Sequence, residues 1–204
     1  VRQWVSYAMA CCARMAGRLT PLIFNEWYVA GFAHEFTQRL LARTILGRPL
    51  VLFRTSTGEA VALEDRCLHR SFPLSASRLE NDQITCGYHG FRYDARGTLI
   101  DVPSQARCPA NLGVRRYPLV ERDALVWIWM GDAALADAQR APDFHWAHSP
   151  DWQTSSGMLH LPANYVGLHE NLLDLTHVEF LHAATLGMNA VKYAAAPFDV
   201  LIED

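Results

Sequence analysis

From Pro21 to Asp132 the apolar residues come in short runs broken by turn-forming text, with no sustained helical spacing. Pro49 to Arg54 and Glu59 to Asp65 are two such runs, separated by Thr55-Ser56-Thr57-Gly58, which predicts a hairpin. Phe91 to Tyr93 and Thr98 to Val102 flank Asp94-Ala95-Arg96-Gly97, a second turn whose glycine suits a positive φ. Val114 to Val120 and Ala124 to Met130 form a third pair around Glu121-Arg122-Asp123. Strands at this spacing predict a mainly β unit, a small antiparallel sandwich or barrel.

The pattern changes after Gly131. Residues 133–150, rich in Ala and Asp with Pro142 and Pro150, read as a connector. Trp152 to Leu161 reads as a strand. Asn164 to His182 places Leu168, Leu172, Leu175 and Val178 at helical spacing and predicts a helix. Short, strand-like text resumes after Gly187. The expected organisation is therefore a β domain over 21–132, a connector over 133–150, and a second, α+β unit over 151–204. A chain of 204 residues has room for one whole domain and part of another. Residues 1–20 read as a leader outside the fold. Their apolar run, Val5 to Ala13, lies between Arg2 and Arg14, and Arg14 and Arg18 interrupt the place where a signal peptide would be cleaved. An extension upstream of a functional start at Met15 accounts for them better.

Composition narrows the field. Half the residues are hydrophobic and 19% are charged, as in ordinary globular proteins. The net charge of −3 gives no electrostatic case for nucleic acid or an anionic membrane, and no stretch is apolar enough to span a bilayer. The five cysteines form no disulfide framework. Cys11 and Cys12 are adjacent and Cys108 stands alone, while Cys67 and Cys86 are each followed by a histidine two or three residues on. That is a ligand pattern, and its natural setting is a reducing cytoplasm.

The quartet reads Cys67-Leu68-His69 and Cys86-Gly87-Tyr88-His89. Two thiolates on one iron and two imidazoles on the other make the Rieske type of [2Fe–2S] cluster. Neutral histidines in place of two thiolates leave the cluster less negative, so it accepts an electron more readily. Gly87 and Gly90 would relieve crowding where the backbone nears the sulfides, and Pro73 with its neighbouring serines either covers the cluster or is ordinary loop. The rival is a structural Zn²⁺ on Cys₂His₂, but zinc hairpins pair like with like, whereas each loop here mixes the two.

A second constellation lies in Asn171-Leu172-Leu173-Asp174-Leu175-Thr176-His177, with His182 five residues further on. Two histidines and a carboxylate are the ingredients of a facial triad that leaves iron positions open for O₂ and substrate. His177 and His182 sit about 140° apart on a regular helix, so both reach one metal only if the helix ends or bulges between them, with the Ala183 to Gly187 run as the candidate end. Asp174 is the local candidate for the carboxylate; Asp199, Glu203 and Asp204 read as surface groups. Asn171 either stands near the iron or satisfies helix backbone.

With these motifs in view, residues 22–187 resemble the oxygenase (alpha) component of Rieske non-haem iron aromatic ring-hydroxylating oxygenases. They are most like the group of vanillate O-demethylase, toluenesulfonate methyl-monooxygenase and phenoxybenzoate dioxygenase. Asn25-Glu26-Trp27-Tyr28-Val29-Ala30, Cys67-Leu68-His69-Arg70, Cys86-Gly87-Tyr88-His89-Gly90 and Trp127-Ile128-Trp129 carry the resemblance together with the Asp174/His177/His182 segment. It implies an N-terminal Rieske domain followed by the start of a helix-grip catalytic domain. It implies one [2Fe–2S] cluster on Cys67, His69, Cys86 and His89, and a mononuclear Fe²⁺ on His177 and His182 whose third ligand lies beyond Asp204. In the family the aspartate matching Asp174 bridges a cluster histidine of a neighbouring subunit to an iron-ligating histidine. Implied partners are a reductase or ferredoxin, O₂, a small aromatic substrate, and two further copies in a homotrimer. The implied reaction is hydroxylation or O-demethylation. The family's catalytic domain needs more residues than follow Pro150, so the chain looks C-terminally truncated and inactive alone. The other class is a Rieske ferredoxin-type carrier, against which the second metal motif argues.

Overall fold

The computed structural model describes residues 22–182 and Ala184. The leader over 1–20, with Cys11 and Cys12, the Thr185 to Gly187 end of the expected break, and the strand-like text holding Asp199, Glu203 and Asp204 lie outside the described residues. The chain divides into two compact units, and residues 22–156 form the first.

Ten short strands build the first unit: β1 (Trp27–Phe32), β2 (Leu41–Ile45), β3 (Arg48–Arg54), β4 (Ala60–Glu64), β5 (Arg78–Glu80), β6 (Gln83–Thr85), β7 (Arg92–Tyr93), β8 (Leu99–Asp101), β9 (Leu119–Arg122) and β10 (Leu125–Trp129). They pair antiparallel in three sheets, ordered β1-β10-β9, β2-β3-β4 and β5-β6-β7-β8. The mainly β expectation is borne out.

The apolar runs of β3 and β4 are continuous because their sheet is covered on both faces. Val51, Phe53, Val61 and Leu63 turn one way, into a core with Leu74, Ile84, Tyr93 and Leu99. Leu50, Leu52, Ala60 and Ala62 turn the other way, onto Ala30, Phe36, Val126 and Ile128 of the β1-β10 layer. The alternation repeats in β10. Val126 and Ile128 face the shared core, while Trp127 and Trp129 face outward onto Trp27, Ala141 and Phe144. Residues 133–144 thus close over β10, tied by Trp27 Nε1 donating to the Asp137 carbonyl at 2.8 Å. Each buried large side chain here is worth about 1.5–3 kcal/mol over exposure.

Three hairpins turn on two-residue loops with both residues at positive φ: Leu46-Gly47, Asn81-Asp82 and Asp123-Ala124. The last corrects the sequence reading, which put that turn at Glu121-Arg122-Asp123 and drew the preceding strand from Val114. Only Leu119 to Arg122 pairs with β10; Gly113 and Arg116 make isolated bridges.

In the unit that includes residues 157–182, helix α1 (Tyr165–Leu173) starts on Asn164, whose side chain accepts from Val166 N–H at 2.9 Å. Two expectations are corrected. Trp152 to Leu161 is not a strand: Met158 and Leu159 are exposed, and no described strand pairs with the segment. The helix over 164–182 is not continuous either. Asp174, at φ −93° and ψ 92°, ends α1; a 3₁₀ turn (Leu175–His177) and a short α2 (Val178–Leu181) follow. Its carboxylate competes for backbone donors and caps the next turn. Among the described residues no helix is long and apolar enough to cross a membrane.

Candidate metal centre

Both cluster loops are built alike. Cys67 N–H donates to the Phe72 carbonyl (2.8 Å) and Ser71 N–H to the Cys67 carbonyl (2.9 Å); Cys86 N–H donates to the Phe91 carbonyl (2.8 Å) and Gly90 N–H to the Cys86 carbonyl (3.0 Å). Each loop therefore closes a Cys, Cys+4, Cys+5 ring. The fifth residue, Ser71 or Gly90, takes positive φ (55° and 74°). The loops differ in where the histidine falls, at Cys+2 in the first and Cys+3 in the second.

The outcome is a polar gradient. Cys67 and Cys86 are 3% exposed and unbridged, while His69 and His89 are open to solvent with their Nδ1 atoms 3.2 Å apart. The loops cross-pack: His69 stacks on Phe91 (5.0 Å, 5°), and Tyr88 lies against Phe72 (5.8 Å). A side chain at Gly87 would come within 3.3 Å of Phe72, and Gly90 adds its left-handed φ to an approach of 3.1 Å to Pro103. The crowding that both glycines relieve comes from protein neighbours, Phe72 and Pro103.

Burial pushes the Cys86 thiol up, opposed by the backbone N–H groups of Tyr88 and His89, which point at its sulfur. Iron held there by Cys67 and Cys86 would supply the positive charge that favours the thiolate. Desolvation, then His89 and Arg70, lower His69, which favours the neutral imidazole a metal needs. These donors fit a [2Fe–2S] group: two thiols inside, two neutral imidazoles outside. Among the described residues no three His, Cys, Asp or Glu side chains converge on one point.

Tyr93, Ser71, Phe72 and Phe91 were missed from sequence. Tyr93 is fully buried; Leu68 N–H donates to its hydroxyl (3.0 Å), which leaves its own proton for the Cys67 sulfur (3.2 Å). Burial holds the phenol well above its ordinary pKa, so it stays a donor.

At the second constellation the structure brings His177 and His182 together, ring centroids 5.3 Å apart at 66°. The main helix break falls at Asp174, before both histidines and not between them; from His177 the 3₁₀ turn passes into the short α2. His177 Nδ1 donates to the Asp174 carbonyl, which leaves Nε2 as its acceptor. The Asp174 carboxylate does not join the two rings. Its Oδ1 accepts from Thr176 N–H (3.0 Å) and Thr176 Oγ (2.5 Å), and these bonds hold it below the usual carboxylate range. Asn171 is exposed near the end of α1, and its side chain makes no hydrogen bond among the described residues.

Residues 26–118 match the Rieske [2Fe–2S] domain family. The chain carries a Rieske domain. Residues 161–203 match the vanillate O-demethylase oxygenase C-terminal domain. The chain is 43% identical over 169 residues to the toluene-4-sulfonate monooxygenase system iron-sulfur subunit TsaM1 of Comamonas testosteroni, covering 82% of this chain and 49% of that one. It is 44% identical over 167 residues to the dicamba O-demethylase oxygenase component of Stenotrophomonas maltophilia, covering 81% and 49%. The crystal structure of dicamba monooxygenase with non-heme iron and dicamba superposes with a TM-score of 0.73 at 43% identity, over 78% of this chain and 49% of that one. The chain thus spans about half the length of these relatives. The resemblance to Rieske oxygenase components, stated from the motifs, is borne out.

Within the Rieske domain, Tyr93→Phe removes a donor from a sulfur that becomes more negative on reduction. A bond of about 1 kcal/mol corresponds to about 40 mV for one electron. The reduction potential is expected to fall by about that much in a redox titration; an unchanged potential would mean that the hydroxyl does not tune the sulfur.

Proposed function

We propose that this chain is oxygenase-component sequence, in which electrons from a reductase or ferredoxin enter a Rieske cluster and leave it for a mononuclear iron. When bound, the cluster supplies one-electron transfer and the ferrous ion supplies O₂-dependent oxidation of a small aromatic compound, by hydroxylation or O-demethylation. One observation carries the reading: two matched loops present buried thiols inward and paired imidazoles outward.

In this reading Cys67 and Cys86 hold one iron, His69 and His89 the other. The exposed imidazole edges are where an electron leaves the domain. His177 and His182 hold the mononuclear ion, with the His177 tautomer set by the Asp174 carbonyl. Asp174 accepts an imidazole proton through Oδ2 and orients that ring, while Thr176 occupies Oδ1. Asn171 stands beside the ion without ligating it. The working protein is a homotrimer in a reducing cytoplasm, its Rieske domain lies within 21–132, and its catalytic domain opens near 151. A pure electron carrier would leave the match over 161–203 without a task.

Reconstituted anaerobically with iron and sulfide, the chain is expected to turn brown and, once reduced, to give a Rieske electron paramagnetic resonance signal. One zinc per chain without acid-labile sulfide would falsify the reading.

A further inference from the structure

Besides the two cluster loops, a third segment, Pro73 to Ser77, is tied to both of them. At one end Ser75 donates twice to Asp65, N–H to Oδ1 and Oγ to Oδ2, both at 2.6 Å. Asp65 stands two residues before Cys67 and is 8% exposed. Both its oxygens are used as acceptors, and it makes no ion pair among the described residues. At the other end Gly87 N–H donates to Ser77 Oγ (3.1 Å), which itself donates to the Pro73 carbonyl (3.3 Å). Gly87 follows Cys86 directly. Leu74, fully buried, anchors the segment between the two ends in the core shared with Cys67 and Cys86.

We propose that Asp65, Ser75 and Ser77 form a non-covalent latch that positions the two cluster loops relative to one another. The proposal rests on the cluster reading above. The route runs from the stem of the first loop, through Asp65 to Ser75, along one intervening residue to Ser77, and across to the second loop at Gly87. A carboxylate suits the first station because only an acceptor-only group can take both Ser75 donors at once. Burial makes the tie consequential: opening it strands a buried carboxylate without partners. Ser77 is free to relay because its hydroxyl both accepts and donates. The two loops carry Cys67, His69, Cys86 and His89, so a change in their separation would act on all four protein ligands at once. Asp65, Ser75 and Ser77 are positioning residues; none is a ligand.

The test uses the reconstituted full chain and three variants, Asp65→Asn, Ser77→Ala and Ser77→Thr. Asp65→Asn keeps the shape but faces a Ser75 donor with an amide NH₂; Ser77→Ala removes the relay at a partly exposed position; Ser77→Thr retains the hydroxyl. Iron release to a ferrous chelator and the reduced-cluster resonance are followed together. Asp65→Asn and Ser77→Ala are expected to release iron about tenfold faster, equivalent to about 1.4 kcal/mol, and to shift the resonance positions. Ser77→Thr is expected to match wild type. Wild-type release rates and unshifted resonances in both Asp65→Asn and Ser77→Ala would overturn the latch while leaving the cluster reading intact. A wild-type chain that takes up zinc without sulfide would overturn the reading and the latch with it.

Discussion

Asp174→Asn, in a chain extended through a complete catalytic domain, is expected to keep both metal sites filled and to lower turnover about a hundredfold. Asparagine preserves volume and leaves an oxygen for the two Thr176 donors. It then presents an NH₂ where Oδ2 stood, and an NH₂ cannot accept from an imidazole N–H. The helix break should survive, since an asparagine caps a turn about as well as an aspartate. Metal analysis and single-turnover reduction of the iron separate the cases. Loss of the mononuclear iron, with the cluster retained, would show that Asp174 is a direct ligand and that its role as an acceptor orienting an imidazole is wrong.

Phe53→Ala is expected to cost about 3–5 kcal/mol, the range for emptying an aromatic site in a well-packed core. Phe53 has no exposed surface and lies in the same core as Cys67 and Cys86. Against a typical stability of about 5–15 kcal/mol the loss is large enough to unseat the cluster as well as the fold. Denaturant unfolding of the reconstituted protein measures it. A change below about 1 kcal/mol would mean that the site collapses around the gap and that the layer is softer than its burial indicates.

The most legible parts of the sequence were those where one requirement dominated. β3 and β4 announce themselves because a sheet covered on both faces needs unbroken apolar runs. The quartet of Cys67, His69, Cys86 and His89 is readable because thiols and imidazoles in mixed pairs have few other uses. β5 and β6 were invisible: three residues each, with one apolar side chain facing the core, offer no period to count. The Leu46-Gly47 turn was hidden and the Asp123-Ala124 turn was placed too early, because Leu46 and Ala124 take positive φ, which neither residue type advertises. Tyr93 escaped since its partner is a sulfur 26 residues away. Trp152 to Leu161 misled because apolar content was taken for burial, yet Met158 and Leu159 are exposed. At Asp174 the helical spacing of leucines continues straight through a capping carboxylate, and the cap wins.

The sheet β2-β3-β4 serves two interiors at once, and this has a consequence for how the molecule comes apart. Amides of Leu50 to Phe53 and Val61 to Leu63 have no local route to solvent: opening either side exposes the strands that the other side rests on. Their hydrogen exchange should therefore proceed only through global unfolding, as one cooperative block. The tryptophan layer on β10, which never touches the sulfur donors, then belongs to the same block through Val126 and Ile128. In the reconstituted protein, loss of the cluster's colour on unfolding is then expected to coincide with exposure of Trp27, Trp127 and Trp129.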